Sequence, residues 1–476
     1  MQTKPSASRF CFPALKLLCL SVTLALAMPL AFAAGIQEKS LPAEEKHQAA
    51  IAVNAAPEPR LCSKTRNEIF EKVWREIRDH YYDPRFNGVD WNEVHQRYLP
   101  LVDAAKNDQD FYALMSQMTS ELHDAHTRFN SPEQWKNFRK QQGVTLGFGV
   151  DDVDGRTVVT SVLPGSNAAH AGVEPGMEVV SVDGVPVAQK IAEMEKKRLA
   201  SSTERATRWF VYNRVFAGPL STPAQVELRR ADGSTFTATI TREIHSSAPE
   251  VIVHVLTSGN VYIRFDGFQP SVTKEIKRTL EKFHNARGII LDLRRNGGGD
   301  LAALLPIAGY FFDKKTLFAK DTTRTGKPLS AYAGLFKLPL QLYVGKKDGQ
   351  IFAGPVVILM DSHSASSSEV FAAGMQETQR AKILGSQSCG CVLGIARPRI
   401  MKGGGVLEMS EVLWFSPKGR KLEGAGIVPD QIVMPTLVDL QRGRDTLLAE
   451  ADKLLVRTNV LESQSRSSER KNSTAQ

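Results

Sequence analysis

Two short stretches of this chain bring together residue types that can do covalent chemistry. The first is Asn296-Gly297-Gly298-Gly299-Asp300, directly after the apolar run GIILDLR at 288–294. Three glycines remove every Cβ, so the backbone can come very close to a bound group. Their N–H groups, at the start of a helix, can face an anion. A phosphate cradle is one reading, but the Lys and Ser/Thr of a P-loop are missing. The second stretch is Ser364-Ala365-Ser366-Ser367-Ser368-Glu369, after GPVVILM at 354–360. A hydroxyl at a helix N-terminus sits at the positive end of the dipole, which stabilises negative charge formed on attack. The spacing Ser366-x-x-Glu369 is equally that of a capping box, which starts helices with no chemistry at all.

Both turns fall where a strand hands over to a helix, the place where open α/β sheets collect ligands. GIILDLR leads into LAALLPIAGYFF, and GPVVILM into SEVFAAGMQE. From Val251 onward strands alternate with helices, which implies a mainly parallel sheet. From Gly143 to that point the runs are short and β-like: VTLGFGV, TVVTSVL, MEVVSVDG, AQVELRR and TFTATITR. Pro164-Gly165, Pro175-Gly176, Asp183-Gly184 and Asp232-Gly233 punctuate them, and a helical stretch at about 188–215 interrupts them. Further upstream, Thr65 and Glu68 form a capping-box pattern before a helical face of Ile69, Phe70, Val73, Trp74, Ile77 and Tyr81. Asp90 and Glu93 repeat that start signal. A third helix, with Phe111, Leu114, Met115, Met118 and Leu122, ends near Asp124-Ala125-His126.

The 476 residues are 42% hydrophobic and 23% charged, with a net charge of +9. These values exclude a wholly disordered chain, a collagen-like repeat and a multi-span membrane protein. The basic residues are dispersed, so no nucleic-acid partner is demanded. Lys4, Arg9 and Lys16 precede an apolar run from Leu17 to Ala27, then Pro29 and Ala31-Phe32-Ala33. The pattern is that of a secretory signal peptide over 1–33; an uncleaved anchor is the alternative. Export to a periplasm or the extracellular space is expected, with no stable membrane span after cleavage. Residues 34–60 read as a linker and 457–476 as a disordered tail. Cys11 and Cys19 leave with the signal. The remaining Cys62, Cys389 and Cys391 are too few and odd in number for a disulfide scaffold.

GIILDLRRNGGG, VVILMDSHSASSSEVFAAGMQETQRAKILG and LEGAGIVPD closely resemble, in order, blocks of the tail-specific (C-terminal-processing) serine proteases. TLGFGV with SVLPGSNAAHAGVEPGMEVVSVDGVPV looks like the PDZ module of that family. FEKVWREIRDHYYDP and ELHDAHTRF resemble its N-terminal helical region. The resemblance implies a multidomain α/β fold: a helical region at 61–137, a PDZ-like β domain at 138–245, a mainly parallel, crotonase-like catalytic core at 246–437, and a C-terminal helix at 438–456. It further implies Ser366 as nucleophile, with an oxyanion hole from the backbone N–H groups of Ser367 and Gly298.

Many members use a Lys as base 25 residues after the nucleophile, where this chain has Cys391. Lys402 lies too far on to replace it. A branch resembling the tricorn protease takes its base from the N-terminal region instead, and His126 matches that His. Glu423 falls where a supporting Glu is expected. Tricorn has Ser directly before the His; here it is Ala125, so that link is absent, and Asp124 is a rival orienter. His363 is a competing base, although it would have to fold back sharply. His123 and His126 at i,i+3 suggest a metal pair, but no third ligand accompanies them. Cys391 reads as a thiol filling the space of the missing Lys. A bridge between Cys389 and Cys391 would be strained, and Cys62 is another possible partner. In the PDZ-like part Phe148, Val150 and Val162 are groove candidates, where a peptide could add as a strand.

The expectation is an exported serine endopeptidase that needs no metal or cofactor and acts on unfolded or tail-exposed polypeptides. Two other readings stand beside it: an inactive PDZ-containing scaffold on a protease fold, and a binder of small apolar ligands, since retinoid-binding modules also resemble this family. Oligomeric state is not legible.

Overall fold

The computed structural model describes residues 61–197, 201–246, 250–333, 336–339, 341–345 and 351–473. The expected signal peptide and linker lie outside these residues. Three helices open the described chain: α1 (Ser63–His80), α2 (Trp91–Ala104) and α3 (Asp108–Ser120). Asp90 caps α2 as its spacing suggests, accepting the N–H groups of Asn92 and Glu93 at 3.0 and 3.1 Å. The Thr65/Glu68 pattern does not start α1. That helix begins two residues earlier, where the Asp108 carboxylate holds the Leu61 N–H and Cys62 O accepts the Arg66 N–H. The apolar faces, with Phe70, Val73, Tyr98, Phe111 and Met115, pack on Leu407 and Met409 from far along the chain. After α3, Arg128–Asn130 pairs antiparallel with Val406–Glu408.

The PDZ-like module is an antiparallel sheet in the order β1 (Phe148–Val153), β2 (Arg156–Val162), β3 (Glu178–Val182), β4 (Pro223–Arg229), β5 (Thr235–Thr241). The helical stretch between β3 and β4 is two helices, α4 (Val187–Lys197) and α5 (Glu204–Arg214). Thr203 caps α5 by accepting the Ala206 N–H at 3.0 Å. The C-terminal half of α5 is rooted in the module, where Val211 and Tyr212 share a core with Val150 and Val159.

The third part is a six-stranded sheet in the order β6 (Val251–Val255), β7 (Val261–Phe265), β8 (Ile289–Asp292), β9 (Val356–Met360), β10 (Lys382–Gly385), β11 (Gln431–Ile432). Only β6 runs antiparallel to its neighbour. Every residue of β8 and β9 is buried, as expected of parallel strands covered on both faces. Ile289, Leu291, Ile358 and Met360 face α6 (Pro270–Lys282), α7 (Leu301–Gly309) and α8 (Ser367–Glu377). Ile290, Val357 and Leu359 face the other way, onto Leu447, Ala451 and Leu455 of α9 (Thr446–Ser473). A mixed α/β fold with N-terminal helices, a PDZ module and a largely parallel core is therefore present.

The C-terminus departs from expectation. Helix α9 runs from Thr446 to Ser473, through much of the segment read as a disordered tail from 457. Extending a helix already nucleated and packed costs little per residue, and the Leu, Glu, Gln, Arg and Lys of this segment are good helix formers. Among the described residues no helix is long and apolar enough to cross a membrane.

Helix α8 is packed without slack. A Cβ at Gly374 would lie 2.5 Å from the Phe318 ring. Gly374→Ala is expected to lower stability by about 1–3 kcal/mol, read as a shift of the denaturant midpoint. An unchanged midpoint would contradict this packing.

Candidate active site

The serine turn is stitched to the glycine turn at the ends of the adjacent strands β9 and β8. Asp361 Oδ1 accepts the N–H groups of His363 and Arg295, each at 3.0 Å. Ser364 Oγ donates to Leu293 O (2.8 Å), Ser367 Oγ to Gly299 O (2.6 Å) and Ser368 Oγ to Asn296 Oδ1 (2.8 Å). Three hydroxyls of the cluster are thus spent on holding the two turns together, and Ser366 takes no part in that stitching. Its backbone stands at φ 56°, ψ −121°, whereas the helix caps Ser131 and Ser166 have φ of −66° and −72°. An ordinary cap is extended with negative φ. Ser366 therefore occupies a strained strand-to-helix corner, at a cost of about 1–3 kcal/mol, and such strain clusters at functional sites.

The corner is held from below by Glu369. Its fully buried carboxyl accepts the Ser366 N–H (3.1 Å), the Gly390 and Cys391 N–H groups (2.8 and 3.0 Å) and the Ser388 hydroxyl (2.5 Å). Burial pushes this carboxyl up to about 7, against the pull of those donors. Cys391 O in turn accepts the Ser366 N–H at 2.9 Å.

Gly298 packs directly on the corner. A Cβ there would meet Ser366 Cβ at 2.7 Å and Ser367 N at 2.8 Å, and its φ is +96°. Its own N–H donates to Asn296 Oδ1 at 3.0 Å. The Ser367 N–H is the first of α8, where no intrahelical acceptor exists.

His126 comes from the turn between α3 and Arg128–Asn130. Asp124 Oδ1 accepts the backbone N–H groups of His126 (2.8 Å) and Thr127 (2.6 Å), and Asp124 Oδ2 accepts the Tyr81 hydroxyl (2.7 Å). Asp124 thus fixes the backbone of the turn. The His126 ring nitrogen Nδ1 is buried and, among the described residues, has no hydrogen-bond partner. Burial pushes the imidazole down to about 4, although Asp124 and Glu408 favour its charged form, so it is neutral at neutral pH. Ala125 and Ala365, which precede His126 and Ser366, pack on the same small cluster of Ala206, Cys389 and Cys391.

Glu423 is buried and accepts the Val392 N–H at 2.6 Å. Burial pushes it up to about 8, with Ser202 and the Val392 N–H favouring its charged form. Ser202 Oγ accepts the Ala125 N–H at 3.0 Å. The backbone beside His126 is thus held by a serine from the segment ahead of α5. No motif or spacing marked Ser202, which falls inside a stretch read only as helical. Glu369 had been singled out for capping alone.

The expectation for the cysteines is corrected. Cys389 and Cys391 form a disulfide, and Cys62 is free and exposed. Gly390 at φ +75° folds the chain back so that the two Cα atoms lie 5.2 Å apart, inside the range a disulfide spans. Cys391 is not a thiol filling a void.

His363 lies with Nδ1 3.4 Å from Asp151 and 3.5 Å from Asp361, an arrangement that pairs it with carboxylates of the PDZ module and its own turn. Lys402 is exposed and pairs with Glu68 at 3.0 Å. Among the described residues no group of three or more His, Cys, Asp or Glu could hold a metal ion. Phe148 and Val150 are buried in the PDZ-like core, and Val162, partly buried, packs against it. What β1 presents, as the edge strand of its sheet, is backbone.

Comparison with known proteins gives three matches along the chain: Peptidase family S41 over residues 260–433, Tricorn protease C1 domain over 63–120 and PDZ domain over 158–206. The chain is 26% identical over 394 residues to the carboxyl-terminal-processing protease of Synechocystis sp., covering 79% of this chain and 83% of that one. It is 24% identical over 414 residues to the chloroplastic carboxyl-terminal-processing peptidase 3 of Arabidopsis thaliana, covering 82% and 72%. Among solved structures, mature CPAF superposes with a TM-score of 0.64 at 13% identity, over 83% of this chain and 98% of that one. The photosystem II D1 C-terminal processing protease gives 0.53 at 22% identity, over 82% and 97%. At these identities the two structures show a shared fold.

Two outcomes are expected from this geometry. Gly298→Ala should lower any reaction at Ser366 by about a hundredfold or more, because the added carbon displaces the corner; near-normal rates would contradict the contact. His126 binds a proton near pH 6.5 when unfolded but only near 4 when folded, so it costs stability as pH falls through that window. His126→Gln should flatten the fall of the melting temperature between pH 6.5 and 4, and an unchanged slope would show that the ring is not buried.

Proposed function

The chain belongs to peptidase family S41 and is a serine-type peptidase, and we propose that Ser366 is its nucleophile and His126 its base. The observation that carries this reading is the strained corner at Ser366, set against the glycine turn at the start of a buried helix. Ser366 Oγ attacks the scissile carbonyl while the neutral imidazole of His126 takes its proton. The oxyanion forms against the Ser367 N–H at the positive end of α8, and the Gly298 N–H, now on Asn296 Oδ1, turns to share it. His126 then returns the proton to the leaving amine, and water hydrolyses the acyl ester. Asp124 and Ser202 hold the backbone of the base, and Glu423 is the nearby buried acid assigned to support it.

The substrates are polypeptides. Those with an accessible C-terminus fit best: an extended tail adds as a strand along the open edge of β1 and hands the chain to the adjoining site. The charged, apolar and small-residue pattern of 1–33 supports export, which puts the enzyme among unfolded or tail-exposed exported proteins.

A fluorophosphonate probe tests the assignment. Labelling is expected in the wild type, none in Ser366→Ala, and labelling slowed by about a hundred- to ten-thousandfold in His126→Ala. Labelling that persists in Ser366→Ala would overturn the nucleophile. An unlabelled wild type that still binds C-terminal peptides would make the protein a scaffold.

A further inference from the structure

Helix α5 belongs by packing to the PDZ-like module, yet its N-terminal end grips the candidate catalytic centre. Ser202, Thr203, Arg205 and Ala206 do so. Ser202 Oγ accepts the Ala125 N–H at 3.0 Å. Thr203 Oγ1 donates to Cys389 O at 2.6 Å. Arg205 Nε donates to Ser388 O at 2.7 Å, and Ala206 is buried against the disulfide. At the other end of the helix, Arg208 pairs with Asp152 of β1 at 3.5 Å, while Val211 and Tyr212 enter the module's core. Gly390 is a glycine for this reason among others, since a Cβ there would meet Thr203 Cγ2 at 2.8 Å.

The Ser202 oxygen accepts from the residue before His126. The turn carrying His126 is therefore pinned on one side by Asp124, from its own sequence, and on the other by a serine about 76 residues further along, from a different domain. We infer that Ser202 is a positioning residue for the base, holding the backbone beside His126 and making the geometry of the catalytic centre depend on the seating of the PDZ-borne helix α5. The inference rests on the assignment of Ser366 and His126 above and adds a residue to it.

The test is steady-state hydrolysis of an unfolded polypeptide by Ser202→Ala and by the shape-matched pair Ser202→Thr and Ser202→Val, with thermal midpoints measured alongside. Ser202→Ala and Ser202→Val should lower kcat by about ten- to a hundredfold, with KM held within about twofold. Ser202→Thr, which keeps the hydroxyl, should recover most of the loss. The Thr/Val pair decides the matter even if the Ala variant does not fold, because the two side chains fill the same space. Equal kcat in Thr and Val variants, or a loss carried wholly by KM, would overturn the positioning role. Ser366→Ala is run beside them: full activity there would fault the underlying assignment instead, and so separates the two failures.

Discussion

The carboxyl of Glu369 takes four hydrogen bonds from two separate stretches of chain, and both stretches border Ser366, the proposed nucleophile. On one side it accepts the N–H of Ser366 itself. On the other it gathers Ser388, Gly390 and Cys391 into a loop whose carbonyl at Cys391 returns to the same N–H. Each donor would cost about 1–3 kcal/mol if left buried and unpaired. The strained corner is thus affordable because one buried acid satisfies the groups around it. Burial raises that acid towards neutrality, so its full charge is present only where the solvent pH permits.

Around this anchor the fold assembles groups from three regions. The parallel strands β8 and β9 place the glycine and serine turns side by side, as adjacent strand ends must. The helical region contributes His126 because Arg128–Asn130 is zipped onto Val406–Glu408 and because Arg128 and Asn130 both bind the Glu408 carboxylate. The PDZ-like module reaches in through α5 and through Asp151, whose carboxylate lies 3.4 Å from His363 of the serine turn. The module is therefore in contact with the serine turn as well as with the turn of the base.

What could be read from the sequence was what depends on near neighbours. Strand-turn-helix units, the Asp90 cap and the glycine and serine turns declare themselves within ten residues. The start of α1 did not, because Asp108 fixes it from 47 residues away. The Cys389–Cys391 bridge looked strained by spacing alone; it forms because Gly390 takes a positive φ that only the packed loop reveals. Phe148 and Val150 were expected in a groove, but alternation along β1 turns them into the module's core. Ser202 was invisible for the plainest reason: its partner, Ala125, lies 77 residues away and shares no pattern with it. The helical continuation past 457 was missed because polar composition was read as disorder where a packed helix upstream favours propagation.

The pairing of Arg128–Asn130 with Val406–Glu408 has a bearing on how the molecule is made. Its two halves are separated by about 280 residues. At about 5–20 residues per second, a ribosome needs roughly a quarter of a minute to a minute to supply the second half after the first. During that interval the histidine turn has no strand to dock on, so the growing polypeptide is an incomplete hydrolase. The order of these pieces along the chain delays its birth as a cutting enzyme until most of it has been synthesised.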